Sequence, residues 1–150
     1  MTKLEREIEI HAPRERVYEV LTDPRCLGEW VTIQEELERA PDGDLTAGDE
    51  LCQRMKVAGR RFHLTWTVVE ASRPSRVVWE GCGPLRSKAR AVYELSSDGD
   101  GRTRFSYLNE YRLPGGPLGR VAGRGVVAAS GREADRSLER LKALVESRAG

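Results

Sequence analysis

From Leu4 to Ile10 the chain alternates, with Leu4, Ile8 and Ile10 apolar and Glu5, Glu7 and Glu9 charged, the period-two pattern of a half-buried strand. Pro13 opens a helix at its first position, where a missing N–H costs nothing. Val17, Val20 and Leu21 then fall at i, i+3 and i+4 until Asp23 and Pro24 stop it. The same pair can cap a second short helix that turns Leu27 and Trp30 inward. After Trp30 the period returns to two. Turn residues at 42–44, 58–60, 72–74, 81–84 and 98–101 separate about six strands, near residues 31–39, 48–57, 62–71, 76–81, 87–96 and 103–112. Short connections imply antiparallel neighbours. Beyond Pro114, Gly115, Gly116 and Pro117 no turn cluster appears. The closing stretch from Glu133 to Glu146 is rich in helix formers, and positions 127, 131, 134, 138, 141 and 145 lie on one stripe. This helix starts between 114 and 126. The class is α+β, and with no repeat, low-complexity run or linker, residues 1–150 read as one domain.

Alternation also predicts which side chains meet the helix. Taking the more apolar set as inward gives Leu51, Gln53, Met55 and Val57, then Phe62, Leu64, Trp66 and Val68. Val77 and Trp79 oppose Val78 and Glu80, and the last two strands offer Ala89, Ala91, Tyr93 and Leu95, then Phe105, Tyr107, Asn109 and Tyr111. Most of these are core in any protein. The amides of Gln53 and Asn109 stand out, because an unpaired buried amide costs about 1–3 kcal/mol unless a partner, water or ligand satisfies it. Trp30, Trp66, Trp79, Tyr93 and Tyr107 bring large flat surfaces with one polar atom each, suited to gripping a planar or polycyclic ligand. These seven residues are the expected ligand-binding set. The first half of the last helix is short of side chains (Gly119, Ala122, Gly123, Gly125, Ala128, Ala129, Ser130, Gly131). Each interior Gly costs about 1 kcal/mol against Ala, so the composition leaves room for a cavity, or else residues 114–125 are loop.

Charge narrows the partners. With 25 basic and 24 acidic residues the net charge is +1, which offers no global field for a nucleic acid or an anionic membrane. Cys26, Cys52 and Cys82 lie far apart without CxxC spacing, and read as reduced thiols rather than a metal or redox site. The N-terminus leads into no signal-length or membrane-spanning apolar run, so a cytoplasmic location is expected. No cofactor is expected, and the oligomeric state is expected to be a monomer or homodimer.

Catalytic spacing is absent: no HExxH, GxSxG, Walker or GxGxxG pattern occurs. His11 sits at a strand end, and His63 faces outward if Trp66 faces inward. Tyr107 with Asn109, or Glu35 on the second strand, are the candidates for donating and accepting a proton. Arg120, Arg124, Arg132, Arg136 and Arg140 recur in fours and read as a solvated helix face, since a four-residue step drifts about 40° each time.

Several local stretches carry a family resemblance. The segment Ile10 to Pro24 (IHAPRERVYEVLTDP), Leu27 to Trp30 (LGEW), the strand opening Gly48-Asp49, Pro74 to Glu80 (PSRVVWE) and Ser137 to Leu144 (SLERLKAL) resemble START-like polyketide cyclase/dehydrase proteins of the SRPBCC superfamily. The resemblance implies a helix-grip fold, β-α-α-β6-α, in which a curved antiparallel sheet of about seven strands wraps a long C-terminal helix around a hydrophobic cavity. It also implies a small-molecule ligand, handled either by a cyclase/dehydratase of the aldol type or by a sequestering carrier, self-resistance included, in bacterial secondary metabolism. In many relatives the segment before the last helix gates the pocket, which would make Pro114–Pro117 a hinge. A non-enzymatic lipid or isoprenoid-quinone binder, or a chaperone-interaction module, is the alternative. Charged outer faces (Arg54, Lys56, Lys88, Arg90, Arg104, Glu110) disfavour the chaperone version. Each motif encodes fold rather than chemistry.

Overall fold

The computed structural model describes residues 2–57, 59–112 and 117–149, with the side chains of Thr2, Leu85, 117–127 and Ala149 left aside. The order is β1 (Thr2–Ile10), α1 (Arg14–Thr22), a 3-10 turn (Pro24–Cys26), α2 (Leu27–Trp30), β2 (Gln34–Arg39), β3 (Glu50–Val57), β4 (Arg60–Ser72), β5 (Arg76–Cys82), a second 3-10 turn (Pro84–Arg86), β6 (Lys88–Ser97), β7 (Thr103–Arg112) and α3 (Pro117–Ala149). The strands form one antiparallel sheet in the order β1-β7-β6-β5-β4-β3-β2. β2 to β7 follow one another as a meander, and the two helices after β1 carry the chain across to its far edge.

Each expected element is present, with local shifts that have physical causes. Pro13 is extended (φ −69°, ψ 154°) and serves as the N-cap, so α1 begins one residue later than its missing N–H suggested. Asp23 accepts a hydrogen bond from the Arg25 backbone N–H at 3.0 Å, which nucleates a 3-10 turn before the single turn of α2. β2 starts at Gln34 rather than at 31, because the Val31 N–H still bonds Leu27. Thr32 meanwhile is tied to α3, its N–H to Ser137 Oγ at 3.1 Å and its hydroxyl to the Glu133 carbonyl at 3.2 Å. α3 begins at Pro117, so Gly119 to Gly131 belong to the helix. Residues 113–116, most of the expected hinge, lie outside the described residues.

Two halves of α3 do different work. Leu141 and Val145 are fully buried against Ile10, Val17, Leu21 and Phe105, closing one end of the sheet into solid core. A buried Thr103 hydroxyl donates to the Ala12 carbonyl at 2.7 Å, and Lys142 Nζ to that of Glu9 at 2.8 Å, fastening the β1–α1 connection to β7 and to α3. Further toward the helix N-terminus the side chains shrink to Ser137, Ala134, Gly131 and Ser130, and the sheet and helix part.

Two outward residues depart from expectation. Val78 and Val92 face away from α3 yet are 1% and 4% exposed. They sit in one cross-strand row with Leu108, and the neighbouring row carries Arg76 paired to Glu94 at 2.8 Å and to Glu70 at 3.5 Å. Long ion-paired side chains beside an apolar strip cover it with their aliphatic stems. The bulge in β4 falls between Val68 and Glu70, after Trp66, so the phase that turns His63 outward is kept.

Candidate functional site

Where α3 parts from the sheet, a cavity of about 210 Å³ opens between the concave face and the helices. One wall comes from β3, β4 and β5, with Gln53, Met55, Phe62, Leu64, Trp66 and Trp79; the other comes from β6 and β7, with Ala89, Ala91, Tyr93, Tyr107, Asn109 and Tyr111. Trp30 on α2 and Ser130, Glu133, Ala134 and Ser137 on α3 form the roof. All seven residues expected to touch a ligand (Trp30, Gln53, Trp66, Trp79, Tyr93, Tyr107 and Asn109) therefore line one space: strand alternation and register bring the six strand residues to the same face, and α2 supplies Trp30 from the roof.

The first wall is pinned by hydrogen bonds. Trp66 Nε1 donates to Gln53 Oε1 at 2.9 Å, and Gln53 Nε2 donates to Gln34 Oε1. Gln53 is 4% exposed, and the buried amide is thus satisfied from within the protein. Trp66 lies against the backbone of Gly81, its register partner on β5: a Cβ there would stand 2.8 Å from two carbons of the indole ring.

The second wall is less complete. Asn109 Nδ2 donates to the Tyr107 hydroxyl at 3.1 Å, while Asn109 Oδ1 is buried without a partner among the described residues. On the roof and on the first wall, Trp30 Nε1 and Trp79 Nε1 are likewise buried and unpartnered among those residues. Each such group costs about 1–3 kcal/mol. Burial pushes the Tyr107 phenol up to about 12, opposed by the Asn109 hydrogen bond, and raises Tyr93 and Tyr111 as well. All three phenols are neutral donors at ordinary pH. Because the Tyr107 oxygen accepts from Asn109, its own proton is free to point elsewhere. Tyr93 packs between Phe105 (5.6 Å, edge-on) and Tyr107 (5.8 Å, tilted), joining this wall to the solid core.

Glu35 does not belong here. An irregularity in the β2–β3 pairing sets both Glu35 and Glu36 against Arg54, and Glu35 bonds Arg61 at 2.8 Å on the outer face. The Arg61 hydrogen bond holds its carboxyl below the usual range. His63 meets Glu38 outside at 2.7 Å, and His11 meets Glu9 at 3.2 Å. Arg132, Arg136 and Arg140 are exposed; the side chains of Arg120 and Arg124 lie outside the described ones. Cys26 is buried with its thiol pushed up by that burial, whereas Cys52 is half-buried and Cys82 exposed.

Sequence reasoning passed over three residues. Gln34 completes the Gln53 chain, and Gly81, a glycine inside a strand, marks a close approach. Arg6 occupies the inner phase of β1 between Leu4 and Ile8, where a charge is out of place. It reaches Asp135 on α3 at 2.6 Å, and a Cβ on Gly131 would lie 3.3 Å from its guanidinium.

The chain matches the model of a protein family described as polyketide cyclase/dehydrase and lipid transport over residues 1–146. Among solved structures it resembles the Zhui aromatase/cyclase from Streptomyces sp. R1128 (TM-score 0.84, 16% identity, 99% of this chain and 96% of that one). It also resembles TTHA0849 from Thermus thermophilus (0.83, 19%, 99% and 100%). DynU16, a protein of the dynemicin biosynthetic locus, matches at TM-score 0.67 and 18% identity over 98% of this chain and 48% of that one. No curated protein matches. Among the described residues, no helix is long and apolar enough to cross a membrane.

Proposed function

The chain belongs to the polyketide cyclase/dehydrase and lipid transport family, and on that premise we propose that it takes up a hydrophobic aromatic or polycyclic small molecule in the cavity beneath α3, serving polyketide metabolism. The observation that carries this reading is the cavity wall itself, which is almost wholly apolar and aromatic with a few polar atoms placed among the rings. A wall of that kind fits a carrier that sequesters the compound without further help.

A cyclase/dehydratase role asks for more, namely a proton donor beside a ligand carbonyl and an acceptor to remove a proton. Tyr107 fits the donor role: it is neutral, and its oxygen already accepts from Asn109, so its proton can polarise or protonate an oxygen of the ligand. Glu133 is the carboxylate at the cavity among the described residues, though it also pairs with Arg136 at 3.2 Å. The two roles share the site and differ in the last step.

Native mass spectrometry followed by titration of tryptophan emission with polyaromatic and isoprenoid ligands tests the shared claim; a wall with three tryptophans should report either class. Emission unmoved by both would remove the binding reading. With a ligand found, Tyr107→Phe is expected to abolish turnover while leaving affinity within about threefold if the protein is a cyclase. Turnover unaffected by that change would remove Tyr107 as the donor, and a bound ligand that the wild type leaves unchanged would leave the carrier role.

A further inference from the structure

Trp66 differs from the other cavity tryptophans in having its plane fixed from two directions. Its edge is held by the 2.9 Å bond to Gln53, and one face rests on the Gly81 backbone, closely enough that even a methyl group there would collide at 2.8 Å. The indole therefore lies along the sheet instead of standing away from it. With its polar atom already engaged, what it offers the cavity is a ring face. Beyond it the same cross-strand row continues through Gly81 to Ala89, whose side chains are too small to stand above a flat indole, so the floor is low along that row. The next row sets Trp79 between Val68 and Ala91 as the neighbouring aromatic side chain of the cavity.

We propose that Trp66 is the stacking platform for a planar ring of the ligand and that Gly81, by letting the indole lie flat, determines ligand shape, favouring fused-ring aromatics over flexible chains. This rests on the reading of the cavity as a binding site. A substituent at position 81 would have to tilt the indole up into the cavity or break its bond to Gln53. Either movement removes the flat floor that a rigid ring needs, while a flexible chain can bend around it.

The test is calorimetric titration of the wild type, Gly81→Ala, Trp66→Leu and the double variant with two singly charged acids, anthracene-2-carboxylate and dodecanoate. The wild type is expected to bind the planar acid about tenfold more tightly than the chain. Gly81→Ala and Trp66→Leu should each remove about that factor for the planar acid while changing dodecanoate by less than about twofold, and the double variant should lose no more than either alone. Trp66→Leu introduces no clash, so it decides the matter even if Gly81→Ala fails to fold. Equal losses for both acids, or planar affinity unchanged in Trp66→Leu, would overturn the platform. Wild type that binds dodecanoate but not the planar acid overturns it as well, leaving the cavity reading intact. Wild type that binds neither acid sinks both.

Discussion

On the β3–β5 wall the inward amide, Gln53, has both ends engaged, one by Trp66 and the other by Gln34. On the β6–β7 wall the inward amide, Asn109, gives its N–H to Tyr107 and keeps a buried carbonyl oxygen without a partner among the described residues. Both lie on apolar faces at equivalent strand phase, so their difference comes from their neighbours. The amide of the first wall is spent on fixing the Trp66 indole, although Trp79 Nε1 on the same wall is buried without a partner among the described residues. The second holds hydrogen-bonding capacity in reserve, at a cost to folding that a purely structural wall would not carry.

The largest effect that this contrast predicts is on stability. Gln53→Ala strands the Trp66 N–H and the Gln34 carbonyl and opens a small void, so unfolding free energy should fall by about 3 kcal/mol, read from urea denaturation. A loss below about 1 kcal/mol would show that the first wall is no more structural than the second.

A smaller effect separates the walls by pH. Ionisable phenols line the β6–β7 side, whereas the side chains named for the β3–β5 side carry no titratable group. Tyr107 keeps its proton to about 12 in the folded protein against an ordinary value of 10.0. Between those values the folded state holds more protons than the unfolded chain, so stability falls as pH rises, and below about pH 9 this residue makes no difference to the slope. Tyr107→Phe should recover on the order of 1–2 kcal/mol of the loss between pH 10 and 12, measured by chemical denaturation at each pH. An unchanged alkaline slope would mean that Tyr107 is not shielded from water as its burial requires.

The sheet and helix were legible because alternation, turn residues and family wording all specify backbone. Register then followed, and with it the common face of Trp66, Tyr107 and Asn109. Partners were not legible. Whether an inward amide is satisfied depends on side chains from another strand, such as Gln34 for Gln53, and on a glycine whose importance lies in what it lacks. Glu35 was misplaced for a related reason: an irregular β2–β3 pairing sets two consecutive glutamates against one arginine, and no period-two count anticipates that. Arg6 broke the apolar phase of β1, and read as a conflict it would have pointed to α3.

The smallest effect is the most discriminating. Asn109→Leu removes the unpartnered oxygen together with the hydrogen bond to Tyr107, one a gain of about 1–3 kcal/mol and the other a loss of about 1 kcal/mol, in a side chain of similar length. The net expectation is a gain in unfolding free energy of about 0–2 kcal/mol, accompanied by weaker ligand binding, because Tyr107 loses the donor that orients it and the ligand loses an acceptor. A protein that becomes more stable as it binds less well has given up a group kept for function. Should Asn109→Leu instead cost more than about 1 kcal/mol, Asn109 would be a structural amide like Gln53, and the two walls would differ in geometry alone.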